Sequence, residues 1–247
     1  MPRFRFEISY DGSEFSGWQK QIDTPTIQGE IEDKIRMVTQ ISDIDLVASG
    51  RTDSGVHARA QVAHLDLDLA ESPDRLKKRL NSVLPKSIRI RHIENVDDDF
   101  HARFNAISRT YHYSIATSSD PLQPLRWNLM KSIDPKKLLS AAEDCIGTHD
   151  FRPFALMDPV LENCVCTITE SRFEETRDGY VYIITGNRFL RNMVRRLVGM
   201  MVAIAAGEVP EGSIRKTLEG HPPQKVPSVA PAHGLVLERV SYVDRRP

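Results

Sequence analysis

The hydrophobic period along this chain changes in a set order, and the order occurs twice. Arg3 to Tyr10 alternates strictly, with Phe4, Phe6, Ile8 and Tyr10 on one face, the two-residue period of a half-buried strand. Asp11-Gly12 breaks that run, and from Thr26 the period lengthens, placing Ile27, Ile31, Ile35 and Val38 on one helical stripe. Ile44–Ala48 and Gln61–Asp68 read as strands. A helix follows from Pro73 through Leu76, Leu80 and Val83, and Ile88–Val96 closes the half as a strand. Past Asn105 the pattern restarts with an alternating Ser108–Thr117 and a helix opened by Asp134-Pro135. Two strands flank the Asp178-Gly179 hairpin signal, helices cover Phe189–Ala206 and Pro210–Gly220, and Leu235–Val243 ends as a strand. The Pro-rich His221–Pro231 stretch reads as an extended loop. Each half is therefore β-α-β-β-α-β, the ferredoxin-like unit. The expectation is an α+β protein of two tandem ferredoxin-like domains, residues 1–105 and 106–247, with a cleft between them.

Composition narrows the class. A chain of 247 residues, 40% hydrophobic and 27% charged, can bury a core and is not compositionally disordered. Three cysteines (Cys145, Cys164, Cys166) cannot build a disulfide scaffold, which points to a reducing compartment and a cytoplasmic protein. The longest apolar run, Leu197 to Gly207, is too short to span a bilayer, and the opening Met1-Pro2-Arg3-Phe4 lacks a leader pattern. Basic and acidic residues number 33 and 34, so net charge gives no argument for a nucleic-acid partner.

Three clusters carry unusual chemistry. The densest is Gly50-Arg51-Thr52-Asp53-Ser54-Gly55-Val56-His57, a short loop bracketed by glycines between two strands. Arg51 and Asp53 stand two apart, so on extended chain they face one side. Two readings are open: a surface ion pair worth about 0–1 kcal/mol, or a carboxylate kept ionised as a nucleophile by the guanidinium. The second cluster is Arg109-Thr110-Tyr111-His112-Tyr113, whose tyrosines either pack in the core or offer a ring to a nucleobase. The third is Arg188, Arg191, Arg195 and Arg196, with Asn192, Arg195 and Gly199 on one helical row opposite an apolar stripe. It is either a solvated helix end or a set of phosphate contacts. Other chemistries fit less well. Cys164-x-Cys166 lacks further ligands at zinc spacing, Asp97-Asp98-Asp99 reads as a solvated turn, and no phosphate-loop or dinucleotide glycine motif occurs. No cofactor or metal is implied.

Together these residues resemble the tRNA pseudouridine synthase A family nearly end to end. The matching segments, in order, are Tyr10-Asp11-Gly12, Gly17-Trp18-Gln19, Thr26-Ile27-Gln28 and Gly50 through Ala58. Asn81 through Pro85, Phe100-His101-Ala102-Arg103, Arg109-Thr110-Tyr111, Met193-Val194-Arg195 and Gly234 through Leu237 follow. The resemblance implies that Asp53 is the catalytic aspartate, Tyr111 the tyrosine contacting the target base and Arg195 the arginine paired with the aspartate. It also implies a homodimer that isomerises uridines 38, 39 and 40 of the tRNA anticodon stem-loop without cofactor or metal. Two departures stand out: Ser54 replaces a common alanine, and Cys166 stands where arginine is usual before Thr-Ile. The second leaves the choice of substrate nucleotides open.

On this reading Asp53 is the nucleophile, Arg51 and Arg195 keep it ionised and oriented, and Tyr111 stacks on or hydrogen-bonds the extracted uracil. A carboxylate can meet the positive charge that develops at C1′, as in glycosidases, or add to C6; both routes are open. Flipping the uridine out of a stem costs a few kcal/mol, which arginine contacts to the displaced backbone can offset. Competing functions are a silent tRNA-binding module, a synthase acting on another RNA, and a metal-dependent hydrolase built on Asp97–Asp99.

Overall fold

The structure, a computed structural model, describes residues 1–69, 71–118, 123–156, 163–223 and 226–243. It is α+β, with a mostly antiparallel sheet and few helices. The chain divides into two compact units, residues 1–107 with 236–247, and residues 108–235.

In the first unit the order is β1 (Arg3–Tyr10), α1 (Ile27–Thr39), β2 (Val47–Ala48), β3 (His57–Asp66), α2 (Pro73–Val83) and β4 (Ile88–Val96). β1 runs antiparallel between β3 and β4, and β2 pairs with β3, giving the ferredoxin-like order β4-β1-β3-β2. Phe4, Phe6, Ile8 and Tyr10 are all buried, so the alternation seen in β1 is its core face. α1 brings Ile27, Ile31 and Ile35 to the core and starts where the Thr26 hydroxyl accepts the Gly29 N–H. α2 adds Leu76 and Leu80, begins at Pro73 behind the Ser72 cap and packs against β4.

Two readings within this unit change. Of the expected strand Ile44–Ala48 only Val47–Ala48 pairs, although Ile44 and Leu46 are buried. β3 starts at His57 rather than Gln61, because a register shift between Ile8 and Tyr10 of β1 lets Tyr10 sit opposite Ala58.

The second unit contains β5 (Ala106–Ala116), β6 (Trp127–Asn128), α3 (Pro135–Glu143), β7 (Gly147–Asp150), β8 (Val165–Thr176), β9 (Gly179–Gly186), α4 (Met193–Ala205) and α5 (Ser213–Leu218). Its sheet order is β5-β9-β8-β7, antiparallel throughout, with β6 added in parallel to β5. Asp134 caps α3 through the Lys136 N–H, and α3 lies against α4 and β8. Every residue of α4 except Arg195 and Arg196 is buried, the signature of a helix through the middle of a core. It starts at Met193 rather than Phe189 because Asn192 adopts a left-handed conformation, φ 61°. α5 is likewise shorter than expected, with left-handed Gly212 before it and Gly220 just after it.

The last strand, β10 (Leu235–Tyr242), was expected in the second half, yet from Val236 onward it belongs with the first unit. Val236 and Leu237 pair in parallel with His57 and Ala58 of β3, and Glu238 meets Arg59 at 3.0 Å. The Tyr242 hydroxyl donates to the Ala102 carbonyl at 2.7 Å, while the Arg5 guanidinium lies 5.2 Å from the ring centre. Such pairing joins residues far apart in sequence, and no local pattern encodes it.

Candidate active site

Asp53 lies in the irregular segment that carries the chain from β2 into β3. The segment is tied down along its whole length. At its start the Gln61 amide donates to the Gly50 carbonyl at 2.9 Å while accepting from the Ser49 hydroxyl at 2.7 Å. In its middle the Thr52 carbonyl accepts the Trp18 N–H at 3.0 Å, and its buried hydroxyl bonds the Tyr10 hydroxyl at 2.8 Å. After Asp53 the chain turns: the Val56 N–H returns to the Asp53 carbonyl at 3.1 Å, with Gly55 at φ 75°. The Ser54 hydroxyl and the Gly55 N–H both reach the Phe15 carbonyl at 3.3 Å. At the end, His57 Nδ1 meets the Gly12 N–H and an Asp11 carboxylate oxygen, each at 3.0 Å.

The segment at Gly17 explains why Gly-Trp-Gln precedes the helix. Gly17 has φ 92°, and a Cβ there would lie 2.7 Å from the Thr52 carbonyl oxygen. Only a glycine lets the two backbones approach this closely. Asp11 is held below the usual carboxylate range: burial pushes it up, but the Ser13 hydroxyl and N–H and the adjacent His57 outweigh that effect.

Asp53 is half-buried at this turn, and Arg51 is exposed.

Tyr111 lies on β5 of the second unit, opposite Ile184, and is 8% exposed. Its ring stands edge-on to Phe189, centroids 5.1 Å apart at 84°. Two residues on, Tyr113 is fully buried, and its hydroxyl donates to the Pro231 carbonyl at 2.9 Å. Both tyrosines are thus buried, Tyr113 completely and Tyr111 with 8% of its surface exposed.

Arg195 extends from the first turn of α4. Its Nε donates to the Ala230 carbonyl at 2.8 Å and its Nη1 to the Asn192 side chain at 3.0 Å. The row Asn192, Arg195, Gly199 is covered by chain rather than solvent, because a Cβ on Gly199 would lie 2.1 Å from the Ser228 carbonyl oxygen. Ser228 and Ala230 are therefore held against α4, and the Ala230 carbonyl holds the Arg195 guanidinium.

Sequence reasoning missed Gln61 and Tyr10 around the Asp53 segment, and Phe189 beside Tyr111. Gln61 had a signal in the sequence, an amide side chain directly before Val62-Ala63 of the expected strand, and it is fully buried. The competing metal reading gains nothing: Asp97, Asp98 and Asp99 are exposed in the turn after β4, and no cluster of three His, Cys, Asp or Glu side chains forms among the described residues.

The pattern of the tRNA pseudouridine synthase family matches residues 8–105 and 141–243. The chain belongs to that family. It is 37% identical over 247 residues to a tRNA pseudouridine synthase A of Porphyromonas gingivalis, covering 98% of each chain. It is 36% identical to the tRNA pseudouridine synthase A of Bacillus subtilis over 244 residues, covering 97% of this chain and 99% of that one. To the Staphylococcus aureus protein of that name it is 36% identical over 245 residues, covering 98% and 92%. Among the described residues no helix is long and apolar enough to cross a membrane.

Proposed function

We propose that this chain converts uridine to pseudouridine at positions 38, 39 and 40 of the tRNA anticodon stem-loop, with Asp53 as the nucleophile. Family membership already makes it an isomerase acting on tRNA. The proposal concerns the nucleotides and the residues. The observation that carries it is the clamped segment around Asp53, where bonds from Tyr10, Phe15, Trp18 and Gln61 to its neighbours fix the backbone that bears one half-buried carboxylate. A nucleophile held this way loses little entropy in reaching its attack geometry.

The reaction breaks the bond from N1 to C1′, turns the base and joins C5 to C1′; C5 loses its proton and N1 takes one up, so the product is an isomer. Asp53 meets the electrophilic carbon as the glycosidic bond breaks. Tyr111, supported edge-on by Phe189, contacts the extracted uracil. Arg195 keeps its Nη2 donors for the aspartate or the substrate, because its other contacts fix the plane of the guanidinium. Arg51, exposed beside Asp53, suits a phosphate better than a permanent protein partner. The working form is proposed as a cytoplasmic homodimer with no cofactor or metal.

The test is pseudouridine mapping of an unmodified tRNA transcript incubated with the protein in chelator. The expected product is pseudouridine confined to positions 38–40. Pseudouridine elsewhere would move the target while keeping the chemistry, and none at all would contradict the proposal.

A further inference from the structure

The second unit contains a groove of about 680 Å³ whose lining includes neither Tyr111 nor Arg195. Its wall comes from the short 3₁₀ turn after β7, its floor from the first turns of α4 and its rim from the end of α5. Six residues define its character: Asp150, Arg152, Pro153, Leu156, Arg196 and Leu218. The size falls in the range of ligand-binding clefts.

Arg196 is the unusual member. Its Nε is sealed from solvent and has no hydrogen-bond partner. No ion pair to its guanidinium occurs among the described residues. A buried donor without an acceptor is costly, and a guanidinium presents its donors as a fixed fork suited to paired oxygens. The other charges in the groove are matched. Asp150 lies 3.7 Å from Arg152 Nη2 and accepts the Arg152 N–H at 2.9 Å. With one acid and two guanidinia among the lining residues, the groove holds an excess of one positive charge.

We propose that this groove holds a single phosphodiester of the substrate RNA, with Arg196 as its principal ligand. One excess positive charge matches a phosphodiester, which carries one negative charge; a free phosphomonoester carries nearly two. The apolar walls, Pro153, Leu156 and Leu218, suit the sugar on either side of the phosphate better than a bare, strongly hydrated ion. The inference rests on RNA being the substrate, and it adds an anchor that fixes the strand without reading its sequence.

The experiment measures binding of an anticodon stem-loop RNA across a salt series, with steady-state pseudouridine formation alongside. The proteins are wild type, Arg196→Met, Arg196→Lys and Leu156→Glu. Arg196→Met keeps the aliphatic stem and removes the donors. It is expected to weaken RNA binding about tenfold, flatten the log–log salt slope by about one, raise KM and leave kcat at saturating RNA near wild type. Its melting temperature should equal or exceed that of wild type, since an unsatisfied donor is gone. Arg196→Lys should fall between the two in affinity. Leu156→Glu, at a wall position already 38% exposed, should weaken binding by charge repulsion without unfolding the protein. Unchanged affinity and salt slope in Arg196→Met and Leu156→Glu would overturn the proposal. So would a melting temperature raised by inorganic phosphate in wild type alone, with RNA affinity equal in all four proteins, since that assigns the groove to a free anion. Absence of pseudouridine from wild type would instead contradict the enzymatic reading and leave the binding comparison intact.

Discussion

At the scale of single residues, the account depends on how firmly Asp53 is positioned, and two neighbours test this without touching the carboxylate. Tyr10→Phe deletes the hydroxyl that bonds Thr52 at 2.8 Å. The hydroxyl also accepts the Gln61 amide at 3.5 Å, and losing both buried bonds should cost about 1–2 kcal/mol of stability. If the bond orients the turn, kcat should fall several-fold while KM stays near wild type, because a misplaced nucleophile affects the chemical step more than binding. Gly17→Ala is the harsher change. It forces an L side chain to φ 92° and against the Thr52 carbonyl oxygen. A loss of at least about 1–2 kcal/mol is expected from the left-handed conformation alone, readable as a lower urea midpoint. A Gly17→Ala protein as stable and as active as wild type would show that the segment is not clamped as described. The motif around Asp53 was legible in the sequence because its residue types are rare together. Its clamps were not, because Tyr10 and Gln61 reach it through the register of β1 against β3, which no short window contains.

Among the elements, α1, α2, β4 and the start of α3 were legible to within a residue or two, since period and cap lie in adjacent residues, whereas α3 ends at Glu143, short of Ile146. Thr26, Ser72 and Asp134 each accept a backbone N–H of the turn they precede. β6 and β7 were not read, because two and four residues are too few to display alternation. The start of α4 was misplaced because Asn192 looks helical in sequence and is left-handed in the structure. β3 supports a prediction of its own. His64 on this strand is buried, and its Nδ1 accepts the Ala102 N–H at 3.2 Å. Burial, then the neighbouring His101 and Arg3, lower its pKa from 6.5 to about 4. The folded protein therefore keeps this ring neutral where the unfolded chain protonates it. Between pH 6.5 and about 4 the unfolded state binds the extra proton, so stability falls as pH drops through that window. At about 1.4 kcal/mol per pH unit the full effect is about 3 kcal/mol. Urea midpoints measured from pH 4 to 7 should show this loss in wild type and lack it in His64→Gln. Parallel curves for the two proteins would remove His64 as the cause.

For the whole molecule, a net charge of −1 has to be reconciled with an RNA substrate. Affinity for a polyanion follows local potential rather than the sum of charges. Arg188, Arg191, Arg195 and Arg196 fall within nine residues that contain no acid, and Arg191 is exposed. The acids are matched elsewhere, as Asp66 with Arg3, Glu94 with Arg5 and Glu32 with Lys20 and Arg36. Each RNA phosphate neutralised contributes a little under one to the log–log salt slope. Binding of a tRNA transcript should therefore weaken by at least about tenfold between 50 and 200 mM salt. Flat affinity over that range would contradict phosphate-led binding. The twofold internal pattern was legible at this scale, whereas the allegiance of β10 to the first unit was not. That allegiance rests on parallel pairing with β3 and on the Tyr242 contacts to Ala102 and Arg5, all between residues distant in sequence. The central claim, however, concerns one carboxylate, and single-turnover pseudouridine formation by Asp53→Asn tests it most directly. With melting temperature and tRNA affinity held near wild type, the account predicts no detectable pseudouridine at positions 38–40. Product at a wild-type rate from Asp53→Asn would contradict it.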